Sequence, residues 1–229
     1  MASKLLRRSG IAVGMVMDQI GFDPDVMFQV GVGCHHEEVK VIQNEWPHCH
    51  FIGAEPCPGV DEALKDYPGR VDRVAMSVFE GEAQLFRKGN HKDGSSLCKP
   101  INQKADVVLV KKTTMDIAWL LDASKYDNIL LWLDCEGHEY AVIAGGTQFM
   151  RYVDVVNVEL TSNPPAEGWC DPNEVHQELV DKGFWFQWQH TNRFVAGQRD
   201  AIYVRENLFD YDRCCCPHER RRWKQLTRS

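Results

Sequence analysis

The segment from Asn128 to Gly146 places the strongest constraint on how this chain folds. It reads N-I-L-L-W-L-D-C-E-G-H-E-Y-A-V-I-A-G-G, and every residue of Ile129–Leu133 is apolar. A continuous apolar run of this kind is typical of a strand that is buried on both faces of a parallel sheet. Because parallel strands need crossover connections, the segment predicts an α/β domain with helices on both faces of its sheet.

Two carboxylates directly follow this apolar run. Asp134 and Glu136 lie one residue apart, Gly137 permits a sharp turn, and His138 opens a short helical segment. In open α/β sheets, ligands bind beyond the carboxyl ends of the strands. The two acids and the imidazole are therefore candidate site residues. The alternative is a solvated charged turn, which rarely follows so apolar a strand.

Length and composition indicate one globular domain. The chain has 229 residues, of which 44% are hydrophobic and 26% charged. No apolar run reaches the roughly 18 residues that span a bilayer. The N-terminal apolar stretch has no clear small-residue cleavage site, which favours a covering helix over a signal peptide. We expect a single domain over residues 1–205, with 1–24 as a covering segment, and a cysteine-rich basic appendage over 206–229.

Charge is distributed unevenly along the chain. The net charge is −7, but Pro217–Ser229 carries five basic residues against one acid, a net +4, which leaves −11 on the remainder. A nucleic-acid groove would need the opposite sign over the main body. Nucleic acid is therefore not an expected partner, although the basic tail could contact another anionic group.

Cysteine usage favours a reducing compartment. The nine cysteines are scattered, odd in number and accompanied by no secretion signal, so we expect free thiols and a cytoplasmic location. The run Cys214–Cys216 with His218 is a candidate zinc site. Adjacent cysteines alternate in direction, however, and no C-x-x-C pair accompanies them, so no metal site is predicted.

Strands and helices alternate along the chain. Strands are predicted at Asp25–Val32, His50–Ala54, Arg70–Met76, Ala105–Lys111, Ile129–Leu133, Tyr152–Leu160, Phe184–Gln189 and Asp200–Arg205, the last two as a closing, antiparallel pair. Two short β segments around Glu80–Gly81 predict a hairpin. Helices are predicted between the strands, including one with Asp171 as its N-cap. The fold class is thus a three-layer α/β fold around a mostly parallel sheet of about seven strands.

The first crossover has the form strand, Gly-x-Gly, helix. Gly31 and Gly33 allow the backbone to approach a ligand closely. Glu55 ends the second strand, 24 residues after Gly31, where an acid can accept hydrogen bonds from both hydroxyls of an adenosine ribose. The place of a third glycine is taken by His36, whose bulk would crowd a pyrophosphate. The pattern favours a ligand with adenosine and no phosphates, such as S-adenosylmethionine.

These segments resemble the FkbM family of S-adenosylmethionine-dependent methyltransferases over about Val26–Leu160. The resemblance lies in F-Q-V-G-V-G at the glycine turn, G-A-E-P (Gly53–Pro56), R-V-A-M-S (Arg73–Ser77), G-S-S-L (Gly94–Leu97), T-T-M-D (Thr113–Asp116), L-D-C-E-G-H-E (Leu133–Glu139) and V-N-V-E-L (Val156–Leu160). It implies the seven-stranded, Rossmann-like class I methyltransferase fold, with methyl transfer usually to a hydroxyl oxygen.

Two positions depart from the family pattern. The glycine motif usually begins with an acid, and here Gln29 stands in that place. An amide can hydrogen-bond the amino-acid portion of the cofactor, but it attracts an ammonium less strongly than a carboxylate does. Before Asp134, Trp132 and Leu133 stand where family members often carry a lysine. Weaker cofactor binding and a non-catalytic descendant are both open alternatives.

The resemblance and the strand ends together assign roles to the site residues. The expected cofactor-binding residues are Gln29, Gly31, Gly33, Glu55, Met76, Ser77 and Asp134, with Met76 and Ser77 beside the adenine. The expected catalytic residues are His138, Glu136 and Asp134, and His138 is the first candidate for the base because imidazole titrates near neutrality. Ser95, Ser96 and Glu159 are expected to contact the acceptor. The acids could instead hold a divalent metal, which is the less favoured alternative.

The predicted function is that of a cytoplasmic S-adenosylmethionine-dependent O-methyltransferase. Its acceptor would be a small hydroxylated molecule such as a sugar or a secondary metabolite. Two other classes stay open at this point. One is an NAD-dependent oxidoreductase on a similar sheet. The other is a non-catalytic cofactor-binding module that interacts with a partner, which Gln29 and the basic tail motivate.

Overall fold

A computed structural model describes residues 2–87, 94–101, 103–191 and 197–209, with side chains described from residue 10 onward and not at 190–191. In these ranges the α-helices are Ala2–Ile20 (α1), Glu37–Glu45 (α2), Asp61–Leu64 (α3), Met115–Ala123 (α4), Glu139–Gly145 (α5) and Pro172–Asp181 (α6). The strands there are Val26–Val30 (β1), His50–Ala54 (β2), Arg70–Asp72 (β3), Ala75–Met76 (β4), Gly81–Arg87 (β5), Lys99–Pro100 (β6), Asp106–Thr113 (β7), Ile129–Leu133 (β8), Val155–Thr161 (β9), Ala166–Glu167 (β10), Phe184–Thr191 (β11) and Gln198–Arg205 (β12). No helix in the described part of the chain is long and apolar enough to cross a membrane.

Seven strands form the central sheet, in the order β11-β12-β9-β8-β1-β2-β3. Only β12 runs against the others in this sheet, since it pairs antiparallel with both β9 and β11. Every residue of β1 and of β8 is buried, as expected for central parallel strands with continuous apolar sequences. The predicted fold class, a mostly parallel seven-stranded sheet with an antiparallel closing strand, is confirmed.

Helices cover both faces of this sheet. Successive residues of β1 enter opposite cores because side chains alternate along a strand. Phe28 packs with Trp119 of α4 in one core, and Met27 packs with residues of α1 and α2 in the other. The second core also holds Phe209, which contacts Trp185 at a ring-centroid distance of 5.1 Å. Ordered packing therefore extends past the domain boundary predicted at residue 205, whereas Cys214–Cys216 and the basic tail lie outside the described residues.

Two predicted elements differ from the structure. The strand predicted over Arg70–Met76 is split, since β3 joins the central sheet and β4 joins a three-stranded sheet of order β4-β7-β5. The hairpin predicted around Glu80–Gly81 is wrong. Gly81 instead begins β5, which pairs antiparallel with β7. The small sheet buries its own apolar cluster, including Leu85 and Val110, beside the end of β2.

The carboxyl ends of β1 and β8 approach each other very closely. Asp134 donates its backbone N–H to Val30 O at 3.0 Å. Gly31 has φ +83°, and a Cβ at this position would lie 1.7 Å from the carbonyl oxygen of Asp134. Gly31 is thus required by the packing of two chain segments as well as by its left-handed backbone. The sheet order reverses at β1, with β2 on one side and β8 on the other, which is where such sheets open a crevice.

We expect Gly31→Ala to lower the free energy of unfolding by roughly 2–5 kcal/mol, because it adds a backbone clash to a strained dihedral angle. Gly21→Ala is the matched control. Gly21 also has a positive φ, +67°, but an added Cβ would meet nothing within 4 Å. Urea unfolding of both variants measures the difference, and equal losses of stability would contradict the close approach of β1 and β8.

Candidate cofactor-binding and active site

A cleft lies beyond the carboxyl ends of β1, β2, β8 and β9. The predicted site residues that line it are Gly31, Gly33, Glu55, Met76, Ser95, Asp134, Glu136, His138 and Glu159. Three further predicted residues, Gln29, Ser77 and Ser96, are buried behind its wall. The topology thus brings residues far apart in sequence to one edge of the sheet.

Glu55 connects the two turns that follow β1 and β2. Its carboxylate accepts the backbone N–H of Gly33 and that of Cys57, both at 2.8 Å. The side chain is buried, with 6% of its surface exposed, and it faces the cleft. A carboxylate can accept about four hydrogen bonds, so holding these N–H groups is compatible with accepting a ribose hydroxyl.

The wall of the cleft beside Glu55 is apolar. It is formed by Pro56, Ala75, Met76, Leu85 and Leu97. These residues come from the ends of β2 and β4 and from the small sheet with its following loop. An apolar wall next to a buried carboxylate suits a flat aromatic base attached to a hydroxylated sugar.

The loop after β8 is held in place by Glu139. Its Oε1 accepts the backbone N–H of Cys135 and that of Gly137, both at 3.1 Å. Glu136 adopts a left-handed backbone with φ 52°, which non-glycine residues seldom do. At Gly137, φ is 95° and a Cβ would lie 2.2 Å from the indole of Trp169. The D-x-E-G-H-E motif therefore contains one acid, Glu139, whose task is to shape the loop.

Ser96 supports this loop from behind. Its hydroxyl donates to the carbonyl of Glu136 at 2.5 Å and accepts the N–H of Cys98 at 2.9 Å. Ser96 is 5% exposed and does not line the cleft, in contrast to the neighbouring Ser95. Sequence reasoning expected both serines to contact an acceptor, and the structure uses the hydroxyl of Ser96 to position Glu136 instead.

Several acids face one another at the β8–β9 side of the cleft. Burial, with the nearby charges of Glu159 and Glu136, raises the pKa of Asp134 well above its usual range. Burial and the charge of Glu136 likewise raise the pKa of Glu159, whose Oε1 accepts a hydrogen bond from Gln198. Asp200 lies directly opposite Glu159 on the paired strand β12. Desolvation and mutual repulsion thus both favour the protonated form of these acids.

His138 is a weaker base than the sequence suggested. Burial, and then the charge of Lys112, lowers its pKa from 6.5 to about 4. Its Nε2 lies 3.1 Å from the hydroxyl oxygen of Ser77. The imidazole is consequently neutral at pH 7 and disfavours taking up a proton, which works against a role as general base. His138 lines the cleft, so its neutral imidazole can form a hydrogen bond to a ligand.

Glu38 is a site residue that sequence reasoning missed. It lies in the first turn of α2, lines the cleft and is 1% exposed. Gln29 Nε2 donates to Glu38 Oε1 at 2.8 Å, so Gln29 lies behind Glu38 and reaches the cleft only through it. Burial raises the pKa of Glu38 to about 7. The only signal in the sequence was an acid at the start of the helix, which many helices have.

His36 does not crowd the cleft, so the predicted exclusion of a pyrophosphate by its bulk is wrong. Its ring packs against Tyr67 at a centroid distance of 5.5 Å, and its Nε2 lies 2.9 Å from the carbonyl oxygen of Ala63. His36 is absent from the cleft lining. A phosphate group would instead meet the carboxylate of Glu38 at the start of α2, which is unfavourable by charge.

A comparison of the sequence with protein-family profiles identifies the family of this chain. The sequence profile described as "Methyltransferase FkbM domain" matches residues 27–186. The chain belongs to the FkbM methyltransferase family. The resemblance found in the motifs is thereby confirmed, and membership goes against the alternative of an NAD-dependent oxidoreductase. No protein among the curated sequences matches this FkbM family member.

Several solved structures resemble the fold at low sequence identity. Magnesium protoporphyrin IX methyltransferase from Synechocystis PCC 6803, determined with bound SAM, is 10% identical over 88% of this chain and 79% of its own, with a TM-score of 0.49. Precorrin-6y C5,15-methyltransferase from Geobacter metallireducens GS-15 is 10% identical over 83% and 85%, with a TM-score of 0.44. Fibrillarin from Methanococcus jannaschii is 10% identical over 81% and 68%, with a TM-score of 0.47.

The acids do not form a recognisable metal site. Among the described residues, no group of three or more histidine, cysteine, aspartate or glutamate side chains is arranged to hold a metal ion. Asp134 and Glu136 are in the loop shaped by Glu139, and each takes part in the electrostatic group around Glu159.

The raised pKa of Glu38 predicts a specific dependence of stability on pH. A carboxyl with a higher pKa in the folded chain contributes stability that is fully present below its unfolded value, 4.5, and lost as the pH rises through about 7. Glu38→Gln cannot ionise, so at pH 8 we expect it to be more stable than the wild type by roughly 1–3 kcal/mol.

The difference between Glu38→Gln and the wild type should shrink to less than about 0.5 kcal/mol near pH 4.5, where Glu38 is protonated in the folded chain and about half protonated in the unfolded chain. Urea unfolding of both proteins at the two pH values measures it. Equal stabilities at pH 8 would contradict the buried, weakly compensated position of Glu38.

Proposed function

We propose that this FkbM family member is an S-adenosylmethionine-dependent O-methyltransferase that acts on a small hydroxylated acceptor. The observation that supports this most is the position of Glu55. It is a buried carboxylate at the end of β2 that faces the cleft, beside an apolar wall and next to the glycine turn of β1. The apolar wall, Glu55 and the glycine turn fit an adenine, a ribose and an extended side arm, in that order along the strand ends.

The donor would be held by residues that already have fixed positions. Glu55 would accept hydrogen bonds from the ribose hydroxyls, and Met76 and Leu85 would contact the adenine. Gly31 and Gly33 keep the turn after β1 open beside the cleft. When bound, the donor supplies a methyl group on a positively charged sulfur. The protein mainly has to align the acceptor oxygen with that methyl group, and good positioning can contribute on the order of 7–11 kcal/mol.

The acceptor side of the cleft offers carboxylates for a hydroxyl group. Asp134 follows β8 and Glu159 lies in the neighbouring strand β9, and desolvation and facing acids raise the pKa values of both. A carboxylate with a raised pKa is a stronger base than an ordinary one. We therefore place the removal of the hydroxyl proton on this pair, with Asp134 first. His138, neutral at pH 7, would orient the acceptor by a hydrogen bond.

The first test concerns the ligand class. Calorimetric titration of the full chain with S-adenosylhomocysteine and with NAD should show binding of the former and none of the latter, because Glu38 places negative charge at the start of α2, where a pyrophosphate would lie. Binding of NAD alone would contradict the proposal. A chain that binds S-adenosylhomocysteine but methylates no acceptor would favour the non-catalytic module.

The second test concerns the catalytic acid. Asp134→Asn should lower the transfer of a labelled methyl group from S-adenosylmethionine to a panel of hydroxylated acceptors by about 10²–10⁴-fold, since a positioned base contributes that much. Asp106→Asn is the matched control, because Asp106 is exposed at the start of β7. Wild-type turnover in Asp134→Asn would contradict the assignment of Asp134 as the base. If the wild type transfers the methyl group to amines and to none of the hydroxylated acceptors, the proposed hydroxyl acceptor is wrong.

A further inference from the structure

One carboxylate oxygen in the cleft has no hydrogen-bond partner. Glu38 Oε1 accepts from Gln29, but Glu38 Oε2 has no partner among the described residues and is fully buried. Buried polar atoms are nearly always hydrogen-bonded, and a buried acceptor without a donor is costly. Such an oxygen is suited to a donor that a ligand brings, and best of all to a cationic one.

The surroundings of Glu38 restrict the side from which a ligand can reach it. Helix α1 crosses directly above it, since a Cβ on Gly10 would lie 3.0 Å from the Cα of Glu38. Gln29 lies beneath it in the sheet. The cleft is the side that is left, and Glu38 is part of its lining.

The distance between Glu55 and Asp134 along the sheet edge indicates which part of the ligand reaches Glu38. Glu55 follows β2, and Asp134 follows β8, two strand spacings away, which is on the order of 10 Å. The charges of Glu38 and Asp134 interact, so the two carboxylates belong to the same end of the cleft. A ribose on Glu55 that carries an amino-acid side arm spans this separation, and its α-ammonium is the cation that reaches the acids.

We propose that Glu38 binds the α-ammonium of the donor's methionine portion, and that Gln29 is a positioning residue that orients Glu38. The inference rests on the proposed donor. The neutral amide of Gln29 suits this task because it fixes one oxygen of Glu38 without adding a second charge. The ligand's ammonium then satisfies the oxygen that the protein leaves unpaired.

Calorimetry with two ligands tests this assignment in the full chain. S-adenosylhomocysteine carries the ammonium, and 5′-methylthioadenosine has the same adenosine without the amino-acid portion. Glu38→Gln should weaken binding of S-adenosylhomocysteine by about 10- to 100-fold, as expected for a lost hydrogen bond to a charged group, and change binding of 5′-methylthioadenosine by less than about 2-fold.

Glu37→Gln is the matched control. Glu37 is in the same helical turn and pairs with Lys40 at 3.1 Å, but it does not line the cleft. It removes the same charge from the start of α2, so both ligands should bind as they do to the wild type. Unchanged binding of S-adenosylhomocysteine to Glu38→Gln, or equal weakening of both ligands, would overturn the assignment.

The same titrations distinguish a wrong donor from a wrong role of Glu38. A wild type that binds neither ligand overturns the donor, and this inference with it. If Glu38→Gln does not fold, the wild type alone decides. The wild type must bind S-adenosylhomocysteine at least about 10-fold more tightly than 5′-methylthioadenosine, because only S-adenosylhomocysteine can form the charged hydrogen bond to Glu38. Equal affinities would overturn the role of Glu38 and leave the adenosine site standing.

Discussion

The close approach of β1 and β8 at their carboxyl ends is the constraint on which the site depends. Gly31 lies against the carbonyl of Asp134 with no room for a side chain. The contact fixes the turn after β1 relative to the loop after β8, at the point where the strand order reverses. Glu55 then connects the β1 turn to the β2 turn through two N–H groups. Three strand ends are thereby held as one rigid edge, and the cleft is the space beyond it.

The second property of the site is its negative charge, since the described residues that line the cleft include five acids and no lysine or arginine. Asp134, Glu159 and Glu38 all have raised pKa values, and burial is the main cause for each. Keeping these groups enclosed costs stability at neutral pH. A ligand with a cationic amino-acid arm and a sulfonium would relieve that cost. The same charge arrangement opposes a phosphate-bearing cofactor, whereas the bulk of His36 lies outside the cleft lining.

The sequence predicted the parts of the fold that depend on local pattern. The strand at Ile129–Leu133 was predicted correctly because a short apolar run with flanking charges is typical of a buried strand. The FkbM motifs identified the family. Pairing between distant segments was harder to predict. The strand after Glu80 pairs with β7, which follows a long loop, and no turn residue signals that partner.

The sequence also identified four of the five acids among the described residues that line the cleft, but not the separate role of each residue. Glu139 and Ser96 shape the loop that carries Glu136, as hydrogen bonds to backbone groups show. Glu38 was missed because its position depends on a contact with Gln29 and on the helix that covers it. Motifs show which residues gather at the strand ends, whereas burial and partners decide which of them face a ligand.

A crystal structure of the full chain with S-adenosylhomocysteine would test the central claim most directly. The account predicts the ribose hydroxyls within hydrogen-bond distance of Glu55, the adenine against Met76 and the amino-acid end next to Asp134. Density for the ligand at another edge of the sheet, or a ribose that makes no contact with Glu55, would contradict it.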